Sequence, residues 1–244
     1  MERNRKRNQT DSIVFNGHDL SSLAYCKIRR PVMASIDATF DDVPGRHGEV
    51  FKTVKRDGYD LSVDMWLRTE HRRDVAEARH KLAAMLWTDE PAPLLLPDDP
   101  TRYLMAIVSG ATDLGEITDD CPGTTVTFHV GDPDYYGRTR RVETTGAASF
   151  SVGGTLPAAI RVTAKPTAGS SWRITNTDTG EFVEVDQPLT AASTISLDFA
   201  TEKATVNGAV APLNIMSDFF SVEDRAHLEI SSGRATIEWE ERWL

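Results

Sequence analysis

Most of this chain consists of short segments in which apolar and polar residues alternate, separated by residues typical of turns. In Tyr59 to Leu67 the apolar side chains occupy every second position, and only Trp66 interrupts the polar side. Alternation with a period of two is typical of a β-strand that buries one face. Asn16-Gly17, Thr179-Gly180 and Asn207-Gly208 are turn dipeptides, because glycine tolerates positive φ. The chain is therefore predicted to be mainly β.

One segment, near residues 70–87, has helical periodicity instead. Its apolar residues recur at intervals of three and four positions and are Val75, Ala78, Leu82 and Leu86. Such a stripe predicts a single amphipathic α-helix that packs against a sheet. Pro91 and Pro93 follow it, and proline does not continue a helix.

A change in composition around residues 131–148 divides the chain into two predicted domains. Residues 12–141 combine several strands with the helix, which predicts a β-rich unit with a single helix. Residues 142–244 contain only short strands at the spacing of an antiparallel β-sandwich. Residues 1–11 form a basic N-terminal arm, which we expect to be a solvated terminus rather than a binding element.

The net charge of −10 limits the partners that the chain can have. The second half is the more acidic, with 14 Asp/Glu against 7 Lys/Arg in residues 142–244. An acidic surface repels phosphate, so we expect no specific nucleic-acid binding. No apolar run reaches about 18 residues, so no membrane insertion is expected. The charged N-terminus does not resemble a secretory signal. Cys26 and Cys121 are expected to be free thiols, and a single disulfide between them is the alternative.

The sequence contains no recognisable catalytic or metal-binding motif. Paired or near-paired acids occur at Asp41-Asp42, Asp98-Asp99, Asp119-Asp120 and Asp132-Pro133-Asp134. Each lies beside proline or glycine in a predicted loop, where aspartate bonds its own backbone. The six histidines lack metal-ligand spacing. We therefore predict no enzyme activity, no catalytic residue, no metal site and no cofactor.

Several aromatic residues of the second half are candidates for sugar contacts. A sugar ring can stack on an exposed indole, and Trp172 and Trp243 are the candidate glycan contacts. Core packing is the favoured alternative. Trp239 belongs to an alternating run with Ala235 and Ile237, which predicts that it points inward.

A succession of short strings resembles the siphovirus distal tail (Dit) family across nearly the whole chain. The strings of the first half are Phe15 to Leu20, Pro44 to Gly48, Tyr59 to Arg68, Leu82 to Leu86 and Asp132 to Tyr136. Those of the second half are Trp172 to Asn176, Thr179 to Glu181, Asn207-Gly208, Asp218 to Phe220 and Trp239 to Leu244. Two features depart from the family: the basic arm, and Ser221 to His227, which lack the Pro-Gly turn that often follows the Phe-Phe pair.

The resemblance implies an architectural role in a phage or prophage virion. It implies a homohexameric ring at the tail tip, a baseplate hub made in the bacterial host cytoplasm. Such a ring joins the tail tube protein above to a tail tip or tail-associated protein below. Its N-terminal domain is a tail-tube-like β-sandwich or barrel that lines a channel for DNA, while a galectin-like C-terminal sandwich projects outward.

A closed ring requires each subunit to bury one surface on each neighbour. We predict that a loop rich in glycine and proline and the strand that follows it make this contact. The candidate interface residues are Pro44, Gly45, Arg46, Gly48, Val50 and Phe51.

Three other functions remain open at this point. In the first, the second domain is a carbohydrate-binding module for adsorption to a host-surface glycan. A hydrolase of cell-wall polymers would need a matched pair of acids. The third alternative is a two-domain β adaptor unrelated to phages.

Overall fold

The computed structural model describes residues 12–29, 31, 33–114 and 122–244. The predicted basic arm, Cys121 and the pair Asp119-Asp120 lie outside the described residues. The chain divides into two compact units, one ending at Tyr135 and the other beginning at Tyr136. Both units are built from antiparallel β-strands, which confirms the predicted mainly β fold class. Among the described residues, no helix is long and apolar enough to cross a membrane.

Among its described residues, the first unit contains nine strands and one α-helix. The strands are β1 Val14–Phe15, β2 His18–Asp19, β3 Ala24–Arg29, β4 Ile36–Asp42, β5 Glu49–Arg56, β6 Tyr59–Leu67, β7 Ala92–Leu96, β8 Asp99–Ser109 and β9 Gly123–Val130. Seven of them form a sheet in the order β3-β6-β9-β8-β7-β1-β2, and β4 pairs with β5 separately. The inward residues of β6 and β9 form the centre of the core, where Phe15 meets Phe128 edge-on at 5.0 Å between ring centroids.

The helix of this unit, α1, extends over Val75–Leu86. All four residues of the predicted apolar stripe are buried in it, so the predicted packing face is confirmed. Its start is later than the prediction of residue 70, because Arg72–Asp74 form a 3-10 turn instead. The first helical turn lacks a side-chain cap, since the Asp74 side chain makes no capping hydrogen bond.

The second unit is a sandwich of two antiparallel sheets. Its strands are β10 Tyr135–Thr144, β11 Ala147–Ser151, β12 Ala158–Lys165, β13 Trp172–Asn176, β14 Phe182–Val185, β15 Ile195–Asp198, β16 Lys203–Val206, β17 Ala209–Val210, β18 Ser221–Val222, β19 Arg225–Ile230 and β20 Arg234–Trp243. One sheet has the order β17-β16-β15-β12-β20-β10, and the other has the order β11-β19-β13-β14. The inward residues of both sheets make one core around Trp172 and Trp239.

The segment where the composition changes, residues 131–148, contains all of β10 and the start of β11. The predicted boundary between residues 141 and 142 therefore lies inside a strand. Most residues of β10 are exposed or half-buried, with only its last residue, Thr144, buried. A strand without a buried face gives no alternation of apolar residues, so the sequence pattern did not reveal it.

The turn after Phe219-Phe220 is made without proline or glycine. Strand β18 ends at Val222 and β19 begins at Arg225, so only Glu223 and Asp224 connect them. Asp224 adopts a φ of 47°, a left-handed conformation that aspartate tolerates better than most residues. The departure from the family's Pro-Gly turn thus leaves a tight connection in place.

A polar network on Glu184 joins three segments of the second unit. Its carboxylate accepts hydrogen bonds from Arg173 Nη2 at 2.9 Å, Ser171 Oγ at 3.0 Å and Asn214 Nδ2 at 2.8 Å. The guanidinium of Arg173 also covers the Phe182 ring at 4.1 Å. The hydrogen bond from Arg173, assisted by those from Ser171 and Asn214, lowers the pKa of Glu184 below its ordinary value of 4.5. The ionised carboxylate thus holds the loops at residues 171 and 214 to β13 and β14.

We expect Glu184→Gln to destabilise the second unit by about 1.5–3 kcal/mol at neutral pH, because hydrogen bonds to a charged acceptor are lost. Since the folded pKa lies below the unfolded value, the carboxylate stabilises the fold above pH 4.5 and loses this effect as the pH falls. Urea unfolding at pH 7 and pH 3 measures the difference. A gap between wild type and variant that stays constant across this range would contradict the prediction.

Candidate assembly interface

Strands β4 and β5 form a hairpin that carries the predicted interface residues. Within the described part of the chain, these two strands pair only with each other. Every residue of β4 is exposed, and so are most residues of β5. A lone two-stranded hairpin is marginally stable in water. This hairpin therefore lacks the cover that the other strands of the unit obtain from the core.

The hairpin has one apolar and one polar face. Residues directly opposite each other share a face, and the register pairs Ala38 with Val54 and Phe40 with Phe51. A bulge between Thr39 and Phe40 shifts the pairing by one residue. The shift brings Val54 and Phe51 to the same face although they are three positions apart on β5.

The apolar face is open to solvent. The exposed fractions of Phe40 and Phe51 are 49% and 55%, and Ile36 and Val54 are similarly exposed. The two phenyl rings meet edge-on with centroids 5.9 Å apart. Burying one phenylalanine side chain fully contributes about 1.5–3 kcal/mol. A contiguous exposed face of this kind indicates a contact with another molecule.

The tip of the hairpin holds four of the six predicted interface residues. Pro44, Gly45, Arg46 and Gly48 lie in the exposed connection from Val43 to Gly48. The Arg46 backbone N–H donates to the Val43 carbonyl at 3.1 Å, and Gly45 adopts a φ of 85° that requires glycine. Of the other two candidates, Phe51 lies on the apolar face, whereas Val50 is paired with Asp41 on the opposite face.

An ion pair anchors the base of the hairpin to its unit. Arg56, the last residue of β5, places Nη1 2.6 Å from Oδ1 of Asp134. The side chain of Asp134 is 2% exposed and that of Arg56 is 29% exposed. Asp132 closes the adjoining turn, because its Oδ1 accepts from the Asp134 backbone N–H at 3.2 Å. In the Asp132-Pro133-Asp134 motif, Asp132 is thus a turn residue and Asp134 binds the arginine at the base of the hairpin.

Two of the other predicted acid pairs also have structural positions. Asp41-Asp42 end strand β4 rather than lying in a loop, so the loop prediction is wrong for this pair. Asp99 accepts from Arg102 Nη1 at 2.8 Å and from Thr101 Oγ1 at 3.1 Å. Among the described residues, no group of three or more His, Cys, Asp or Glu side chains could hold a metal ion.

Trp172 is a core residue of the second unit. It is fully buried, and its indole Nε1 donates to the Ser232 carbonyl at 2.9 Å. No sugar can reach the ring, so the predicted glycan contact at Trp172 is excluded. Trp239 points inward as predicted and stacks on Phe150 at 4.2 Å between centroids. Trp243 is half-buried on β20. Its partial exposure is the one property that keeps it a candidate glycan contact.

Cys26 is a free, partly buried thiol on β3. Burial raises the pKa of the Cys26 thiol, which keeps it in its less reactive protonated form. The predicted free thiol is therefore confirmed for this residue.

The fold matches solved structures of phage tail proteins. The structure titled "SPP1 Dit (gp 19.1) Protein, a Paradigm of Hub Adsorption Apparatus in Gram-positive Infecting Phages" has a TM-score of 0.79 at 18% identity, covering 96% of this chain and 99% of that one. Two structures of the phage P2 baseplate in its activated conformation, with Ca and with Sr, have TM-scores of 0.51 and 0.53. Each is 8% identical and covers 88% of this chain and 90% of its own. At these identities the likeness shows the fold. No curated protein matches the chain significantly in sequence.

Two family models match the sequence, one in each unit. Residues 15–130 match the phage tail protein RIFT-related domain, and residues 153–243 match the C-terminal domain of the siphovirus-type tail component. These matches define a structural component of a phage tail. The chain belongs to the siphovirus distal tail (Dit) protein family.

Proposed function

We propose that this chain is the subunit of a hexameric ring, a hub between the tail tube and the adsorption apparatus at the tail tip. The observation that carries the proposal is the hairpin β4–β5, whose apolar face is exposed on the single subunit. In a ring, each subunit inserts this hairpin against the next subunit. Such a head-to-tail contact uses two different surfaces and closes by rotation.

The family supports this reading. The related SPP1 protein is described as a paradigm of a hub in an adsorption apparatus, and its whole length aligns with this chain. We infer that the partners here are a second copy of the chain, the tail tube protein above and a tail tip protein below. The site of function is the virion tail tip.

We infer that the outer face of β3, β6 and β9 lines the channel for DNA. On this face Arg29 pairs with Asp64 at 2.9 Å, so these two charges neutralise each other. Cations that are engaged by carboxylates bind phosphate weakly, and each free Lys or Arg contact would retain the passing DNA. A near-neutral wall lets DNA slide.

Negative-stain electron microscopy of the purified full-length protein tests the ring. We expect sixfold particles with a central hole. Particles without a central hole, even when the protein is incubated at high concentration before dilution onto the grid, would contradict the hub. Six subunits assemble on their own only if the interface is complete in this chain, so the same protein is also imaged with its tail tube partner.

The hairpin tip offers a milder test of the interface. Arg46 is exposed and its side chain is free to contact a neighbour. We expect Arg46→Ala to weaken the assembly about threefold to tenfold, since an interfacial rim charge contributes roughly 0.5–1.5 kcal/mol. Analytical ultracentrifugation measures the change. Rings with wild-type stability would remove Arg46 from the interface.

A further inference from the structure

The first unit contains an apolar groove between its helix and the end of one strand. The groove, called the α1–β8 groove below, lies between the C-terminal half of α1 and the segment from the end of β8 to Leu114. Buried leucines contribute to its lining, Leu82 and Leu86 from α1 and Leu67 from β6. Its volume is about 500 Å³, whereas a cavity of about 150 Å³ holds a benzene ring. Two phenyl rings therefore fit into it.

The residue that follows α1, Trp87, lines this groove and leaves a large apolar ring in solvent. Its exposed fraction is 76%. Tryptophan is enriched among the few residues that dominate protein–protein binding, because covering its ring removes a large apolar surface from water. An exposed indole in an apolar groove indicates a contact with another protein.

The hairpin β4–β5 does not cover the groove of its own subunit. No described residue of this hairpin lines the groove, and Phe40 and Phe51 stay exposed. One subunit thus presents two different apolar surfaces, a hairpin that carries two phenyl rings and a groove that has room for two. A head-to-tail contact between copies requires two surfaces that differ and complement each other.

The charges of the two surfaces are also complementary. The register places Asp42 directly opposite Glu49, on the same face as Phe40 and Phe51. Like charges that face each other across two strands destabilise the pairing, so the isolated hairpin is weakened by these two carboxylates. Among the described residues that line the groove, only the exposed Arg79 is charged. A cation placed between the two carboxylates would remove their repulsion.

We propose that the α1–β8 groove binds the apolar face of the hairpin β4–β5 of a second copy of this chain. The two phenyl rings of the hairpin enter the groove beside Trp87, and Arg79 lies between the two carboxylates. This inference rests on the proposed ring, and it names the surface that receives the hairpin. It gives the C-terminal half of α1 a role in assembly in addition to its packing in the core.

An exchange of charges across the contact tests this inference in the full-length protein. Arg79→Glu brings a third carboxylate to the other two and should weaken self-association at least about tenfold. Asp42→Arg should weaken it to a similar extent, because two guanidinium groups then face each other. This second change also places an arginine opposite Glu49, which favours the hairpin itself, so a misfolded hairpin would not explain the loss. The double variant Asp42→Arg/Arg79→Glu restores opposite charges and should associate within about threefold of wild type.

Two further variants separate the groove from the rest of the helix. Trp87→Ala removes an exposed ring, and we expect self-association to weaken at least about tenfold. Lys81→Glu is the control, because it makes the same charge change as Arg79→Glu at an exposed position of α1 that does not line the groove. It should associate as wild type does.

Sedimentation velocity over a range of protein concentrations measures the association, and it detects an open chain of subunits as well as a closed ring. Wild-type association in Arg79→Glu and Trp87→Ala would overturn the groove and leave the proposed ring standing. Equal loss in Lys81→Glu, or no recovery in the double variant, would also overturn it. Association that depends on the groove without forming a hexamer would contradict the proposed ring alone. A wild-type chain that stays monomeric at the highest attainable concentration would overturn this contact, whereas a ring formed only with the tail tube partner would leave the proposed function standing.

Discussion

Replacing Phe51 with aspartate is expected to abolish the ring and leave a folded single subunit. The side chain of Phe51 is 55% exposed on the subunit, so the change should alter its own stability by less than about 0.5 kcal/mol. In the proposed ring the neighbouring subunit would cover this position, and a buried unpaired carboxylate costs several kcal/mol. A loss of about 3 kcal/mol at each contact weakens it by more than roughly a hundredfold. Size-exclusion chromatography with light scattering distinguishes ring from monomer.

The opposite face of the same hairpin provides the matched control. Thr53 is exposed and paired with Thr39 on the polar face. Thr53→Asp adds the same charge to the same strand, close to Lys52 and Lys55, and should leave the ring intact. Equal loss of assembly in both variants would mean that charge rather than the apolar face controls the contact. Intact rings in Phe51→Asp would remove the apolar face from the interface.

The hairpin also shows where sequence patterns stop being informative. The alternation of Ile36, Ala38 and Phe40 predicts a strand with one apolar face, and that strand is present. The same alternation results whether the face is covered by the unit's own core or by a second subunit. Only the register with β5 and the measured exposure distinguish the two cases. The prediction of an interface at this position came from the glycines, the proline and the family resemblance.

Strands with a buried face and sharp turns were the best predicted parts of the fold. Strand β6 has the bounds of the predicted alternating segment, Tyr59–Leu67. Strand β10 was missed, since its exposed arginines carry no such signal. Periodicity also cannot distinguish a core tryptophan from a surface one, which explains the candidate at Trp172.

Contacts between distant segments were beyond the sequence altogether. The partner of Asp134 is Arg56, a residue from another strand, and the pattern around Asp132 predicted only a turn. This contact depends on the assembled fold.

Replacing Arg56 with methionine is expected to destabilise the first unit by about 3–5 kcal/mol, because Asp134 stays buried without its guanidinium. The reverse change, Asp134→Asn, should cost less, since the arginine is 29% exposed and can be hydrated. The asymmetry distinguishes a buried anchor from a surface pair. Urea unfolding followed by circular dichroism measures both variants.

Two further variants complete this test. The exposed pair Lys52–Asp41, 3.4 Å apart on the same hairpin, serves as the control, and Lys52→Ala should change stability by less than about 1 kcal/mol. The double variant Arg56→Met/Asp134→Leu removes both charges and should recover most of the loss, because an apolar pair avoids the desolvation penalty. If the double variant were as unstable as Arg56→Met alone, the ion pair would not be the cause. Assembly of the proposed ring should be measured in these variants as well, because an anchored base would keep the apolar face of the hairpin in position for the proposed contact.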